Sequence, residues 1–384
     1  MTPAAILHAI GLILLALAIA GVAYTLAATI LIGRYRTRDA APATPDGEAP
    51  DVTLLKPLHG DEPGLTENLL SFLRQDHAGR VQMVCGVQDA RDPAIAAVRA
   101  AQAALPAADI VLVVDPAPHG ANAKVSNLVN MLPAARHPLI VLSDSDMAAP
   151  PDYLARIVAA LCAPGVGAVT CLYHGRGRAG FWSRVAAAGI GWQFLPGVVV
   201  GLALGLAKPC MGSTIALTRE TLDRIGGFAR FADILADDHA IGASVRALGL
   251  RVAVPPMILA HGCSERGLVE LARHELRWLA TVRGLDPAGH AGSLVTYPLP
   301  LALLGLLLAG PGPLALGTLA AAAIVRLLLV LRIGHITGED SLPLWLLPFR
   351  DVLSCVLFLI AFFIRSVDWR GARLKMAGEG RIAA

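Results

Sequence analysis

The stretch HPLIVLSDSDMAAPPDYL, residues 137–154, decides how the rest of the chain is read. Leu139 to Leu142 are apolar, and they run without a break into Ser143, Asp144, Ser145 and Asp146. A short continuous apolar run suits a strand buried on both faces. A Pro-Pro turn follows, and a helical pattern begins over 151–162. Two carboxylates one residue apart repel each other unless something positive neutralises them. Hard oxygen ligands at that spacing suit a divalent cation that bridges to phosphates. The same residues also suit an ordinary turn, where Asp and Ser bond the backbone.

The pattern repeats upstream. VTLLKPLH (52–59), VQMVCGVQD (81–89) and IVLVVD (110–115) are runs rich in Val, Ile and Leu. Helical segments are expected between the runs at about 63–75, 92–105 and 124–135. Such alternation reads as an open α/β sheet, and ligands of such sheets sit at the carboxyl ends of strands. Asp89, Asp115, Asp144 and Asp146 all fall at those ends. Asp89 is placed to hold a base or ribose. NAKVSN, with Asn122, Lys124 and Asn127, opens a helix in a position suited to phosphate. A second acidic pair, Asp237 and Asp238 in ILADDHAIG, opens another helix. These carboxylates complement the helix dipole, or one of them takes the proton of an acceptor hydroxyl. In YHGRGRAG, Arg176 and Arg178 reach donor phosphates, headgroups or solvent.

The chain has 384 residues, 55% of them hydrophobic and 16% charged, and its mean hydropathy is +0.61. Soluble domains carry about 25% charged residues, so membrane segments are expected. A net charge of +3 without a basic, aromatic-rich stripe argues against nucleic acid as a partner. The six cysteines form no C-x-x-C pair, which argues against structural zinc and a disulfide framework.

The apolar run over residues 4–33 exceeds the roughly 20 residues a bilayer core requires. It is also longer than the roughly 7–15-residue core of a signal peptide, and no charge precedes it. Residues 1–33 therefore read as a retained anchor. Arg34, Arg36 and Arg38 follow, and arginines gather on the cytoplasmic side. The N-terminus is expected outside an inner (cytoplasmic) membrane, with the main domain in the cytoplasm. A linker (34–50) leads to that domain (51–263). An amphipathic interfacial helix lies within 264–290, where Arg273, Arg277 and Arg283 meet headgroups or a diphosphate. Spans are expected within 291–366, at 293–310, 313–333 and 343–364, before a tail over 367–384. Four spans put the C-terminus outside, whereas the basic RSVDWRGARLK (365–375) favours the inside, so its side stays open. FLPGVVVGLALGLA (194–207) is short for a span and is expected to be interfacial, re-entrant or buried.

Taken in order, LLKPLHGDEPGLTENLLSFLRQD, VQDARDPA, NAKVSNL, DSD, GSTIALTRETLDRIGGF, ADDHAIGASVRALG and HELRW cover nearly the whole chain. Together with the flanking spans they resemble the family 2 and 21 glycosyltransferases. Within these the likeness is to the ceramide glucosyltransferase branch and its hopanoid-associated bacterial relatives. The resemblance implies an α/β catalytic domain of the GT-A fold, which binds a nucleotide sugar on an open sheet. It implies that Asp89 holds the uracil and ribose side of a UDP-sugar, and that Asp144 and Asp146 bind Mg²⁺ or Mn²⁺ and the diphosphate. Asp238 is implied as the catalytic base, with Asp237 where many relatives carry Glu. Arg277 and Trp278 end the (Q/R)-x-x-R-W signature that closes over diphosphate and acceptor. His274 stands where that signature has Gln or Arg, which leaves its role open.

The implied reaction is inverting transfer of a single sugar to a membrane-lipid hydroxyl, N-acetylglucosamine onto bacteriohopanetetrol. Glucose transfer from UDP-glucose to ceramide is the alternative. An inactive membrane protein that senses nucleotide sugars is the reading from another class. It predicts a lost carboxylate, yet all the acidic positions are filled. A transporter is at odds with the few spans and their lack of paired acids.

Overall fold

Strand β1 (Val52–Pro57) is buried along its whole length, as its unbroken apolar sequence requires, and the main sheet grows from it. The computed structural model describes residues 2–35, 49–339, 342–364, 366–369, 372–376 and 382–383. Arg36, Arg38 and most of the expected linker lie outside the described residues, as do parts of the tail. On either side of β1, β2 (Val81–Val87) and β4 (Leu139–Leu142) pair with it in parallel, and β3 (Asp109–Val114) pairs in parallel with β2. Beyond β4 the sheet turns mixed. β8 (Ile215–Thr218) runs antiparallel to β4 and to β6 (Val166–Val169), and β9 (Arg251–Ala253) is parallel to β6. The order is β3-β2-β1-β4-β8-β6-β9. The α/β class expected from the sequence holds, with apolar helices at both ends of the chain. The antiparallel β8 departs from an all-parallel reading, because burial on both faces leaves the same apolar run in either direction.

Alternate strand residues feed two cores, following the period of two in a pleated strand. Leu54 and Met83 meet Phe72 of α2 (Leu65–Leu73) and Ile157 of α5 (Tyr153–Leu161) on one face. Leu55, Val84 and Ile140 meet Val125 and Leu128 of α4 (Ala123–Met131) on the other. Helix α3 (Ala94–Ala104) packs beside α2. In register, Leu55 stands between Val84 and Leu142. Lys56 and the turn Ser143–Asp146 therefore emerge at the same edge. That turn leads into β5 (Met147–Ala148), which joins β10 (Ile258–Cys263) and β7 (Leu172–Gly177) in a second sheet. The short α8 (Arg219–Arg224) follows β8, and α9 (Asp237–Ala247) begins on the second acidic pair.

Four helices among the described residues are long and apolar enough to cross a membrane. The first, α1 (Pro3–Ile32), is capped by Thr2, whose Oγ1 accepts from the Ala5 N–H at 3.3 Å. Its buried stripe is Gly11, Leu15, Ala18, Gly21, Thr25, Ala28 and Ile32. Small residues at this spacing let helix backbones approach closely. A Cβ on Gly11 would stand 2.4 Å from the Ala309 nitrogen at the end of α12 (Pro298–Ala309). Helix α13 (Pro313–Thr337) flanks the same stripe, and α14 (Leu347–Ala361) completes the C-terminal group. Three strands, Ser366–Trp369, Ala372–Met376 and Ile382–Ala383, lie in the region read as a tail.

One expectation is corrected, and another is narrowed to one of its alternatives, burial. The span expected at 293–310 is broken: α12 meets the 287–296 segment, which opens with α11 (Pro287–Gly292), at 70°. Pro298 and Pro300 withhold N–H donors from the first turn of α12, so the helix cannot continue back through them. The apolar stretch at 194–207 is part of a longer helix. It runs from α6 (Phe181–Gly189) through a π-helical turn at Ile190–Phe194 into α7 (Leu195–Ala203), and most of it is buried. Pro196 has no N–H for the Trp192 carbonyl four residues before it, and Arg326 Nη1 of α13 donates to that oxygen instead, at 2.9 Å. Both ends of this helix return to the α/β domain, and its tip exposes Leu204 and Leu206.

Candidate active site

A cleft of about 440 Å³ opens at the carboxyl ends of β1 and β4. Asp144, Asp146, Lys124, Asp237, Asp238, His274, Arg277 and Trp278 all line it, so four distant segments converge there. Two expected site residues stand elsewhere. Asp89 lies past the end of β2, outside this lining, with its side chain 54% exposed and bonded by Arg91. That guanidinium holds the Asp89 carboxyl below its ordinary range. Asn122 is fully buried as the N-cap of α4, where its Oδ1 accepts from the Val125 N–H at 3.1 Å. Its Nδ2 donates to the Ile234 carbonyl at 2.8 Å and to Asp237 Oδ1 at 3.3 Å. Asn122 is thus a corrected expectation: it ties α4 to α9 and does not face a donor.

The first turn of α4 carries Lys124 into the cleft, where Nζ lies 2.5 Å from Asp144 Oδ1 and 3.9 Å from Asp237 Oδ2. Gly212 joins the two acidic pairs through its backbone. Its carbonyl accepts from the Asp144 N–H at 3.1 Å, and its own N–H donates to Asp238 Oδ2 at 3.1 Å. A Cβ at 212 would stand 2.5 Å from Asp144 Oδ2 and 2.9 Å from Lys124 Nζ, so only glycine permits this approach. Asp237 is buried, and burial, partly offset by Lys124, pushes its carboxyl up to about 6. Burial also raises the carboxyl of Asp238, which is half-buried. A raised carboxyl pKa makes a stronger base near neutral pH.

Asp146 turns the other way, with Oδ2 lying 3.1 Å from His261 Nε2 of β10. Its Oδ1 is buried without a hydrogen-bond partner among the described residues, and so are Glu62 Oε2 and Asp237 Oδ2. Buried carboxylate oxygens without partners are costly unless a cation meets them. This donor set, all hard oxygen, fits Mg²⁺ or Mn²⁺. Among the described residues no three His, Cys, Asp or Glu side chains form a closed metal cage. A cation on two carboxylates takes its other ligands from phosphate oxygens and water.

Several site groups were not singled out from the sequence. Lys56 is fully buried, donating to Ser143 Oγ at 3.0 Å and to the Asp144 carbonyl at 2.9 Å, with its Nζ 3.3 Å from the centre of the Phe72 ring. Burial, partly offset by Asp144, lowers its ammonium to about 7. Burial and the nearby Asp146 raise Glu62 to about 7. The signal for Lys56 was a charge inside an otherwise apolar strand. Glu62 and His261 carried none, being single polar residues in loop and strand.

Helix α10 (Leu268–Leu285) supplies the remaining wall. His274, Arg277 and Trp278 are spaced i, i+3, i+4, so they share one helix face. His274 Nδ1 lies 2.5 Å from Glu265 Oε1, and its ring packs 4.4 Å from Trp278. Tyr173 stacks on His261 at 5.4 Å and meets Phe194 at 4.9 Å, completing an aromatic side to the cleft. Burial lowers Arg277, opposed by the carboxylates of Asp144 and Asp146. Two arginine expectations are corrected. Arg283 donates to the carbonyls of Phe362 and Ile364 just beyond α14, capping that helix end. Arg176, a strand residue of β7, pairs with Glu339 at 2.5 Å.

The sequence model described as glycosyl transferase family 21 matches residues 12–382. Among curated proteins, ceramide glucosyltransferase 1 of Caenorhabditis elegans is 24% identical over 351 residues, which span 88% of this chain and 74% of that protein. Ceramide glucosyltransferase 3 of the same organism is 26% identical over 54% of this chain and 45% of its own length. Among solved structures, a mannosyltransferase from Pyrobaculum calidifontis in complex with GDP-Man and Mn²⁺ is similar at 25% identity and a TM-score of 0.48. That match covers 91% of this chain and 98% of the mannosyltransferase.

Proposed function

Because this chain belongs to glycosyl transferase family 21, we propose that its cleft moves one sugar, with inversion, from a UDP-sugar to a membrane-lipid hydroxyl. The observation that carries this reading is the convergence of Asp144, Asp146, Asp238 and Arg277 on one cleft, beside a group of apolar helices. Asp238 receives the proton of the attacking hydroxyl. Its two backbone bonds, from Gly212 and His239, hold the carboxylate in place without using a charged partner. Arg277 and Lys124 face the negative charge that grows on the departing diphosphate. Trp278 and the other aromatic rings shield the reacting centre from water, which strengthens these interactions. A divalent cation held by Asp144 and Asp146 supplies further neutralisation of the diphosphate.

The donor and acceptor form the finer part of the proposal. The motif resemblance favours N-acetylglucosamine onto bacteriohopanetetrol. A second reading, glucose onto ceramide, is favoured by the ceramide glucosyltransferase 1 match over most of the chain. We further propose that Asp89 meets the nucleoside side of the donor from the end of β2, and that the domain faces the cytoplasm at an inner membrane. A UDP-release assay on detergent-purified protein with Mn²⁺ or Mg²⁺ tests the proposal, crossing both donors with both lipids. Release stimulated by the first pair alone supports hopanoid glycosylation, and release with UDP-glucose and ceramide alone supports the second reading. Release that no lipid stimulates sinks lipid transfer.

A further inference from the structure

A second cavity, of about 180 Å³, adjoins the cleft. Phe194, His274, Trp278 and Val282 line both spaces, so a single layer of side chains divides them. Ala186, Ile190, Leu279 and Tyr297 make much of the second space apolar. Its walls come from the long 181–203 helix, α10, the 287–296 segment and α14, which places it where the α/β domain meets the apolar helices.

Buried polar groups break this apolar lining, among them Glu265, His290, Arg350 and Ser354. The Arg350 side chain is 2% exposed, and its Nη2 donates to Glu275 Oε1 at 2.5 Å. Its Nε and Nη1 are buried without a partner among the described residues, as is Nε2 of His290. A guanidinium carries five N–H donors, and each one buried and unpaired is costly. The placement of Arg350 is built into the neighbouring helix: a Cβ on Gly189 would stand 1.7 Å from Nη2. The π-helical turn puts Ile190, Gln193 and Phe194 on the same wall, and such turns recur at functional sites.

We propose that this cavity seats the neck of the acceptor lipid. The first methylenes lie along Ile190, Leu279 and Tyr297, and an oxygen of the lipid accepts hydrogen bonds from Arg350. The dividing layer of His274 and Trp278 then separates the held neck from the hydroxyl that receives the sugar. The inference rests on the lipid-acceptor reading and narrows it to a substrate class. The acceptor is an amphiphile with a second hydrogen-bond-accepting oxygen, such as an amide carbonyl or another hydroxyl, besides the one that reacts. A simple long-chain alcohol leaves Arg350 unmet.

The test uses the full chain in phosphatidylcholine nanodiscs. A ceramide with a diazirine in its acyl chain is photo-cross-linked and the labelled peptides are mapped, beside a phosphatidylcholine carrying the same group. Ceramide is expected to label the peptides holding Leu279 and Tyr297, and excess plain ceramide should compete. The double substitution Glu275→Leu with Arg350→Met removes both charges together, which spares the fold a lone buried ion. It should cut this labelling at least tenfold while Mn²⁺-dependent UDP binding stays within twofold. Ser354→Phe, which fills the cavity and keeps both members of the ion pair, should give the same loss. Equal labelling by phosphatidylcholine, or ceramide labelling unchanged in both variants, overturns the proposal. Ceramide-stimulated UDP release is measured in parallel on the wild-type chain. Release without cavity labelling refutes the cavity and leaves lipid transfer standing. Cavity labelling with no release from either UDP-sugar, whether ceramide or bacteriohopanetetrol is supplied, refutes the transfer reading instead.

Discussion

Asp238 is held by two backbone N–H groups and stands apart from Lys124, which pairs with Asp144. A carboxylate that Lys124 reaches only through space, without a direct ion pair, suits a proton acceptor. Asp238→Asn should cut transfer by about 10²–10⁴-fold, the usual contribution of a positioned base. UDP-sugar affinity, read by calorimetry, should change little; an equal loss of binding and turnover would count against the role. Since burial raises this carboxyl, the acid limb of kcat/KM should lie above the ordinary Asp value of about 4. Activity is lost as pH falls through that raised pKa. Asp237 makes a separate stability prediction. Its carboxyl is pushed up to about 6, so the folded chain favours the neutral form. The associated stability is complete below about pH 4 and is lost as pH rises through about 6. Asp237→Asn should therefore stabilise the fold at pH 7.5 by up to about 3 kcal/mol, seen as a higher thermal midpoint, and bring no gain at pH 4. A variant that melts lower at pH 7.5 would show that the Lys124 contact outweighs burial. The acids were legible in the sequence because strand ends and helix starts are where carboxylates do chemistry. Lys56 was legible only as a charge inside an apolar strand, and VTLLKPLH does not say which neighbouring turn its ammonium meets.

At the scale of elements, the 181–203 helix is the part least visible in sequence. Its apolar reading began at Phe194 because Gln193 and the polar start of α6 interrupt the run. The helix persists through them because its faces are buried by protein. Arg326 is the strut that makes this possible. It pairs with Asp351 through two bonds, at 2.8 and 2.5 Å, and serves the carbonyl that Pro196 leaves free. Arg326→Leu strands a buried carboxylate and should cost about 3–5 kcal/mol. Arg326→Leu with Asp351→Leu should recover most of that loss in a detergent melt. A double variant as unstable as the single would mean that the Trp192 carbonyl, not the ion pair, is the critical partner. Strands β1 to β4 were legible from apolar runs alone, whereas strand direction beyond β4 was not.

For the whole molecule, the proposed orientation sets the ends of α1 on opposite sides of the bilayer. Cys162 is the exposed native cysteine among six, and the other five are buried. On a Cys162→Ser background, Thr2→Cys should react with an impermeant maleimide on intact spheroplasts. Glu220→Cys, at a position 82% exposed on the α/β domain, should react only after the membrane is opened. Labelling of Glu220→Cys in intact cells would invert the arrangement. The anchor was legible from composition. Its packing partners were not, because a stripe of small residues does not say which helix it will meet.

That stripe also has a temporal meaning. Gly11 lies against Ala309, and a ribosome adding roughly 5–20 residues per second takes roughly 15–60 s to make the roughly 300 residues between them. Throughout that interval Gly11 has lipid as its neighbour, while α7, made earlier, already packs on α1. Small apolar residues tolerate the wait, and Thr25, the polar member, donates its hydroxyl to the Gly21 carbonyl of its own helix at 2.8 Å. The α/β domain is thus synthesised while tethered by a helix whose clamp has not yet emerged, and the last helices to arrive close the assembly around the first.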